Sequence, residues 1–331
     1  MLFKGGGTMK KAYVVGIDEY LNHPLSGCVN DANVVSELLS HNADGSPNFD
    51  VKKGINLKKK FELVNGIKDL FSNSDDVDTA IFYFSGHGMF DGDKGYLVLP
   101  DVYDTHDGLC LREVLDLANK CTIANKIIVL DCCHSGAISI NNEVNLQPYV
   151  ARGVTILSAC REFESAVEKD GAGVFSSLFC EALRGGAAGV CGMVTPGNIY
   201  AFIDRSLGPW CQRPVFVSHV TSFVAVRICV PKVPLEIIRE LPLLFPTDSF
   251  EFKLDPSFED TNSPDIHHML VKPFAEEGNV KIFKKLQKLQ SVGLVNPVGE
   301  EFMYFAAMRS KSCKLTALGA HYLHLAKNNR I

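Results

Sequence analysis

Two short segments carry the side chains in this sequence best suited to chemistry. One is Phe84-Ser85-Gly86-His87-Gly88 and the other is Leu130-Asp131-Cys132-Cys133-His134-Ser135-Gly136. In each, an apolar run stops in a turn of small residues that bears a histidine or a cysteine. Ligands of an open α/β sheet gather at the carboxyl ends of its parallel strands, so both turns are expected at one rim. A thiol and an imidazole on neighbouring strand ends can form a nucleophile–base pair. The adjoining glycines permit tight turns and leave N–H groups free to meet a developing oxyanion. The plainer reading of either cysteine is a buried thiol, a common fate of free cysteine. Cys132-Cys133-His134 has no partner cluster at zinc spacing, so no metal is expected.

Positioning such turns needs parallel strands joined by helices. Ala12–Ile17, Thr79–Phe84, Lys126–Leu130 and Gly153–Leu157 are apolar, β-branched runs without alternation, as strands covered on both faces require. A weaker strand is expected near Phe49–Ile55. Helical spacing is expected in Asn30–His41, Phe61–Phe71, Leu109–Lys120 and Val174–Leu183. The fold class is therefore α/β, a mostly parallel sheet flanked by helices on both faces. The strand-like run Ser222–Val230 gives way to Pro231 and Pro234, which marks a domain boundary. Beyond it, Val280–Ser291 reads as a basic amphipathic helix, Met303–Ala307 as a short strand and Leu315–Ala326 as a closing helix. That order is the pattern of a winged-helix-like unit over residues 233–331.

Length and composition agree with two folded domains: 331 residues, 46% hydrophobic and 21% charged. A net charge of −5 argues against bulk nucleic-acid binding by the whole chain. Met1–Lys11 lacks the apolar core of a signal peptide, and no run approaches the roughly 18 apolar residues of a membrane span. The 11 cysteines cannot all pair, and they read as reduced thiols in a cytoplasmic protein.

Three blocks, in order, resemble the caspase/metacaspase superfamily of cysteine peptidases, and its metacaspase-like and bacterial caspase-like branch in particular. They are Ser26-Gly27-Cys28-Val29-Asn30-Asp31, Tyr83-Phe84-Ser85-Gly86-His87-Gly88 and Leu130-Asp131-Cys132-Cys133-His134-Ser135-Gly136. The likeness spans residues 10–230 and implies a caspase-like peptidase domain. It implies that Cys133 is the nucleophile, that His87 is the general base, and that the N–H groups of Gly88 and Cys133 form the oxyanion hole. The 46-residue interval from His87 to Cys133 fits caspase spacing, although the Gln-Ala-Cys-x-Gly signature is absent. The branch implies an acidic pocket from Cys28, Asp31, Ser85 and Asp131, and a substrate-binding floor near Ser158 and Ala159. Two carboxylates there would bind a guanidinium or ammonium and repel a substrate aspartate, giving cleavage after Arg or Lys. Asp31 has a second reading as a helix N-cap.

Two departures from that branch carry expectations of their own. Gly108-Leu109-Cys110-Leu111-Arg112 stands where calcium-dependent relatives have consecutive aspartates, and Asp91, Asp93, Asp101, Asp104 and Asp107 are scattered. No cofactor is expected, calcium included. Ala137–Ala151 contains no Lys or Arg, so a basic-specific enzyme has no self-cleavage site in the loop after Cys133. The enzyme is expected to work as a single chain.

Charge divides the second domain. Residues 281–331 hold nine basic residues against two acids (+7), and residues 233–280 hold three against ten (−7). The expected partners are protein substrates and, through this domain, a regulatory protein rather than nucleic acid. A catalytically silent scaffold of the same fold and a DNA-binding regulator are the alternatives from other classes.

Overall fold

The computed structural model describes residues 9–21, 23–91, 94–100, 107–132, 150–159, 168–169, 172–207, 213–221, 223–265 and 269–331. The chain divides into two compact units, Met1–Val230 and Pro231–Ile331.

The first unit opens with β1 (Met9–Gly16), α1 (Cys28–Ser40), β2 (Asp50–Ile55), α2 (Lys60–Leu70) and β3 (Val77–Ser85). Three short strands follow, β4 (Gly88–Asp91), β5 (Lys94–Leu97) and β6 (Leu109–Cys110), then α3 (Leu111–Lys120), β7 (Asn125–Asp131) and β8 (Val154–Ser158). The two-residue strands β9 (Glu168–Lys169) and β10 (Ala172–Gly173) lead into α4 (Val174–Glu181). After these come β11 (Met193–Val194), α5 (Pro196–Ser206), β12 (Val215–His219) and β13 (Arg227–Ile228).

Six of these strands form the central sheet, in the order β12-β8-β7-β3-β1-β2. Five are parallel and β12 alone runs antiparallel, along β8. The expected mostly parallel sheet is thus present. Its lack of alternation has a direct cause, because both faces are buried. Tyr13, Val15, Phe82, Phe84, Ile128 and Leu130 face Leu63, Ile67, Val114 and Leu115 of α2 and α3. Val14, Ile81, Tyr83, Ile127 and Val129 face residues of α1, α4 and α5, among them Val35, Phe175 and Ile199. Burying one such aliphatic or aromatic side chain contributes about 1.5–3 kcal/mol. The order reverses between β1 and β3, and the carboxyl ends of strands at such a switch point open a crevice.

Two segments differ from the sequence expectation. The Ser222–Val230 run supplies only two-residue β13, paired with β11, and the sheet edge is built instead by β12. Met303–Ala307 is helical rather than a strand.

The second unit runs α6 (Leu235–Arg239), α7 (Leu241–Leu244), β14 (Glu251–Lys253), α8 (Glu277–Ser291), β15 (Val295–Val298), α9 (Met303–Met308), β16 (Ser312–Leu315) and α10 (Ala317–Lys327). Its antiparallel sheet is ordered β14-β16-β15. Phe283, Leu286 and Leu289 of α8 are buried together with Phe258, Leu294 and Leu323. The opposite charges of this unit meet each other. Lys284 pairs with Asp260 at 2.8 Å, Lys285 pairs with Glu240, and Arg309 pairs with Glu300 at 2.8 Å.

Candidate active site

Strands β3 and β7 end level with each other. Their last registered pair is Ser85 opposite Asp131, and the Gly86 N–H donates to the Asp131 carbonyl at 3.3 Å. His87 lies two residues past Ser85, and Cys133 lies two residues past Asp131. Cys133 itself, with His134 to Gly136, lies outside the described residues. Cys132 is buried within the apolar core, so it takes the plainer of its two readings.

Three groups fix His87. Its backbone N–H donates to Tyr20 Oη at 3.0 Å, and its carbonyl accepts from the Val98 N–H at 3.0 Å. The Tyr20 ring lies 4.5 Å from the imidazole, and Tyr20 Oη donates onward to the Val98 carbonyl at 3.2 Å. Burial pushes the Tyr20 phenol well above its ordinary pKa, so it remains a neutral donor. The third group is the His23 carbonyl, 2.6 Å from His87 Nε2. A carbonyl can only accept, so Nε2 carries the proton and the Nδ1 lone pair of the neutral ring is left for a second partner. His23 holds this carbonyl in place from a left-handed backbone conformation, φ 59°, with Pro24 next in the chain. Non-glycine residues adopt that region at a cost and do so preferentially near functional sites.

Gly88 opens β4 opposite Leu97 of β5. Because the Val98 N–H bonds to the His87 carbonyl, Gly88 and Leu97 form a non-hydrogen-bonded pair. The Gly88 N–H therefore points away from that ladder, beside His87.

The two expected pocket acids meet. Asp31 and Asp131 are 4% and 5% exposed, and both reach Gly173, where β10 gives way to α4. The Gly173 N–H donates to Asp31 Oδ2 at 3.0 Å. Asp131 Oδ2 accepts the Ser176 N–H at 3.1 Å and the Ser176 hydroxyl at 2.5 Å. A Cβ at Gly173 would lie 2.2 Å from Asp131 Oδ2 and 3.3 Å from Asp31 Oδ2, so only glycine admits both carboxylates. Two buried groups register the resulting negative potential. Burial first, and then Asp31 and Asp131, push the Cys180 thiol up to about 12. Burial, Asp131 and Asp31 also raise Tyr83, whose hydroxyl lies 2.5 Å from Ser176 Oγ.

Asp31 is not the N-cap of α1. That place belongs to Gly27, and the Asp18 carboxylate bonds the first N–H groups of the helix, Cys28 at 2.8 Å and Val29 at 3.2 Å. Cys28, at the start of α1, and Ser85 are both buried. Ser158 lies one strand further, opposite Leu130, and the Ala159 N–H donates to the Leu130 carbonyl at 2.9 Å. Both are fully buried. Sequence reasoning assigned no role to Asp18, Tyr20, His23, Gly173 or Ser176. Each acts from a loop or helix start distant in the chain, and His23 and Gly173 act through main-chain atoms.

Among the described residues no group of three His, Cys, Asp or Glu side chains converges as metal ligands. No helix among them is long and apolar enough to cross a membrane.

Comparison with known proteins gives consistent likenesses. The caspase-domain family profile matches residues 9–222. The crystal structure of caspase-1 from Spodoptera frugiperda is similar over 69% of this chain and 94% of its own, with TM-score 0.50 and 17% identity. The crystal structure of protein GSU0716 from Geobacter sulfurreducens is similar over 65% of this chain and 94% of its own, with TM-score 0.49 and 15% identity. At 17% identity the caspase-1 likeness speaks to fold alone. No curated protein matches the chain.

Proposed function

The chain belongs to the caspase-domain family of cysteine peptidases, and from that premise we propose that it is an endopeptidase cleaving protein substrates after Arg or Lys through Cys133 and His87. The observation that carries the specificity is the convergence of Asp31 and Asp131 on Gly173, beside the strand end that leads to Cys133. A guanidinium or ammonium entering there finds two desolvated carboxylates, whereas an aspartate finds like charge.

In the reaction, His87 Nδ1 takes the Cys133 proton and the thiolate sulfur bonds to the scissile carbonyl carbon. The resulting oxyanion is met by the N–H groups of Gly88 and Cys133. The imidazolium passes its proton to the departing amine as the C–N bond breaks. Water then attacks the thioester with His87 as base, and the Cys133 thiol is released with the new carboxyl terminus. The His23 carbonyl holds the Nε2 proton throughout and keeps Nδ1 as the working atom.

The chain is read as working in a reducing, cytoplasmic setting, where free thiols persist. The second unit is read as a winged-helix-like module that docks a regulatory protein. Pairing of its lysines with Asp260 and Glu240 weakens the case for nucleic acid, because charges already neutralised release few counterions on binding. Exposed Phe302, Tyr304 and Phe305 cluster on α9 and at its start, and exposed aromatic groups of this kind favour protein contacts. The testing experiment compares wild type with Cys133→Ala on fluorogenic peptides ending in Arg, Lys and Asp. Thiol-dependent turnover of the basic peptides alone is expected. Turnover of the Asp peptide overturns the specificity, and no turnover of any peptide leaves the scaffold reading.

A further inference from the structure

The rim of the central sheet opposite the candidate active site contains a cavity of about 480 Å³. It is walled by Cys121–Lys126 at the start of β7, by Arg152 and Gly153 before β8, and by Val220, Thr221 and Val224 beyond β12. Its size lies within the range of small-molecule sites. Its charge is one-sided, because among the described residues its walls contain Lys126 and Arg152 and no carboxylate.

Lys126 is unusual for its burial. It is 4% exposed, and its ammonium donates to the Arg152 carbonyl at 3.1 Å and the Cys121 carbonyl at 3.4 Å. Both acceptors belong to residues that line the cavity. An ammonium has three donors, so two carbonyls leave one unused. Carbonyls supply partial charge only, whereas a buried lysine is ordinarily paired with an anion. No ion pair involves Lys126 or exposed Arg152 among the described residues. Desolvation by burial lowers the Lys126 pKa, and the neighbouring Cys121 thiol acts in the opposite direction. Gly153 makes this close packing possible. Its φ is +86°, and a Cβ there would lie 2.2 Å from the Ala124 carbonyl and 3.2 Å from Lys126 Nζ.

We propose that this cavity binds a small organic anion, whose charged group meets Lys126 and Arg152 and whose apolar body rests on Ile123, Val220 and Val224. The ligand completes the missing ion pair and fills a space that the fold leaves open. The site is distinct from the peptidase centre, since Lys126 lies at the start of the strand that Asp131 ends.

Three probes separate the contributions: phenyl phosphate carries charge and body, inorganic phosphate carries charge alone, and phenol carries body alone. Full-length protein is titrated with each by calorimetry and thermal shift, as wild type, Lys126→Met, Arg152→Gln and Cys133→Ala. Phenyl phosphate is expected to bind saturably, at least tenfold more tightly than either fragment. Arg152→Gln is expected to weaken it about tenfold, Lys126→Met to weaken it further, and Cys133→Ala to leave it unchanged. Absence of binding to wild type overturns the proposal. So does binding that survives Arg152→Gln, an exposed site whose substitution leaves the core intact. Loss of binding in Cys133→Ala overturns it too, by placing the anion at the peptidase centre. None of these readouts depends on proteolysis, so the proposal and the peptidase reading stand or fall separately.

Discussion

Asp131 gives one oxygen, Oδ2, to both donors of Ser176, the backbone N–H at 3.1 Å and the hydroxyl at 2.5 Å. Helix α4 therefore fixes a carboxylate that belongs to strand β7. A hydrogen bond to a charged group contributes about 1.5–3 kcal/mol. Ser176→Ala is expected to lower kcat/KM on an Arg-ended peptide by roughly tenfold or more, chiefly through KM. Steady-state kinetics beside a circular dichroism melt check this. An unchanged KM with a lowered Tm would reduce Ser176 to a packing residue.

Removing the charges themselves should be more severe. Asp31→Asn and Asp131→Asn each keep the shape of the side chain while deleting a carboxylate. Each is expected to cut turnover of Arg and Lys peptides by about two orders of magnitude, the scale of one buried charge-assisted contact. Competition between Arg- and Leu-ended peptides measures the loss of preference directly.

Tyr20 is expected to act on rate rather than on binding. Tyr20→Phe keeps the ring beside the imidazole and strands the His87 N–H, whose present acceptor is the phenol oxygen. Leaving such a donor unsatisfied costs about 1–3 kcal/mol. A five- to fiftyfold fall in kcat with little change in KM is the expected result, read from saturation curves.

Buried phenols set the alkaline limit of the fold. Burial and the neighbouring Glu62 carboxylate push Tyr13 up to about 12, and burial raises Tyr20 and Tyr83 as well. The unfolded chain releases these protons near the ordinary tyrosine value of about 10, while the native state retains them. The native state thus holds more protons in this range, so stability is full below about pH 10 and falls as pH rises toward 12. Urea unfolding at intervals from pH 9 to 11.5 should show that decline, and Tyr13→Phe should make it shallower.

Calcium should be dispensable. Leu109 and Cys110 form β6, paired with β5, where a cation site would need converging oxygens. Peptidase activity in EGTA is expected within twofold of that in millimolar calcium. A strict calcium requirement would place the ligands outside the described residues.

The sheet was legible because four of its strands are buried on both faces and so are continuous apolar runs. β12 was missed because it is a short edge strand whose apolar run is only Val215-Phe216-Val217 and is only partly buried. Met303–Met308 misled by its aromatic, β-prone composition. Burial of Met303, Ala306 and Ala307 follows helical spacing, and β16 already has a partner on each side in β14 and β15. In the candidate site, side chains adjacent to the two turns could be recognised from type and spacing. The residues that hold them in place could not, since tertiary contacts bring Tyr20 and Ser176 to them across 67 and 45 positions.

His23 contributes an oxygen that every amino acid possesses. Its side chain can therefore vary widely without altering the imidazole it orients, provided the backbone keeps φ near 59°. Comparison by residue identity passes over such a position, and scanning by alanine substitution underrates it. What position 23 contributes is a conformation rather than a chemical group, so a β-branched residue there is expected to displace the carbonyl from His87 where asparagine or glycine would keep it in place.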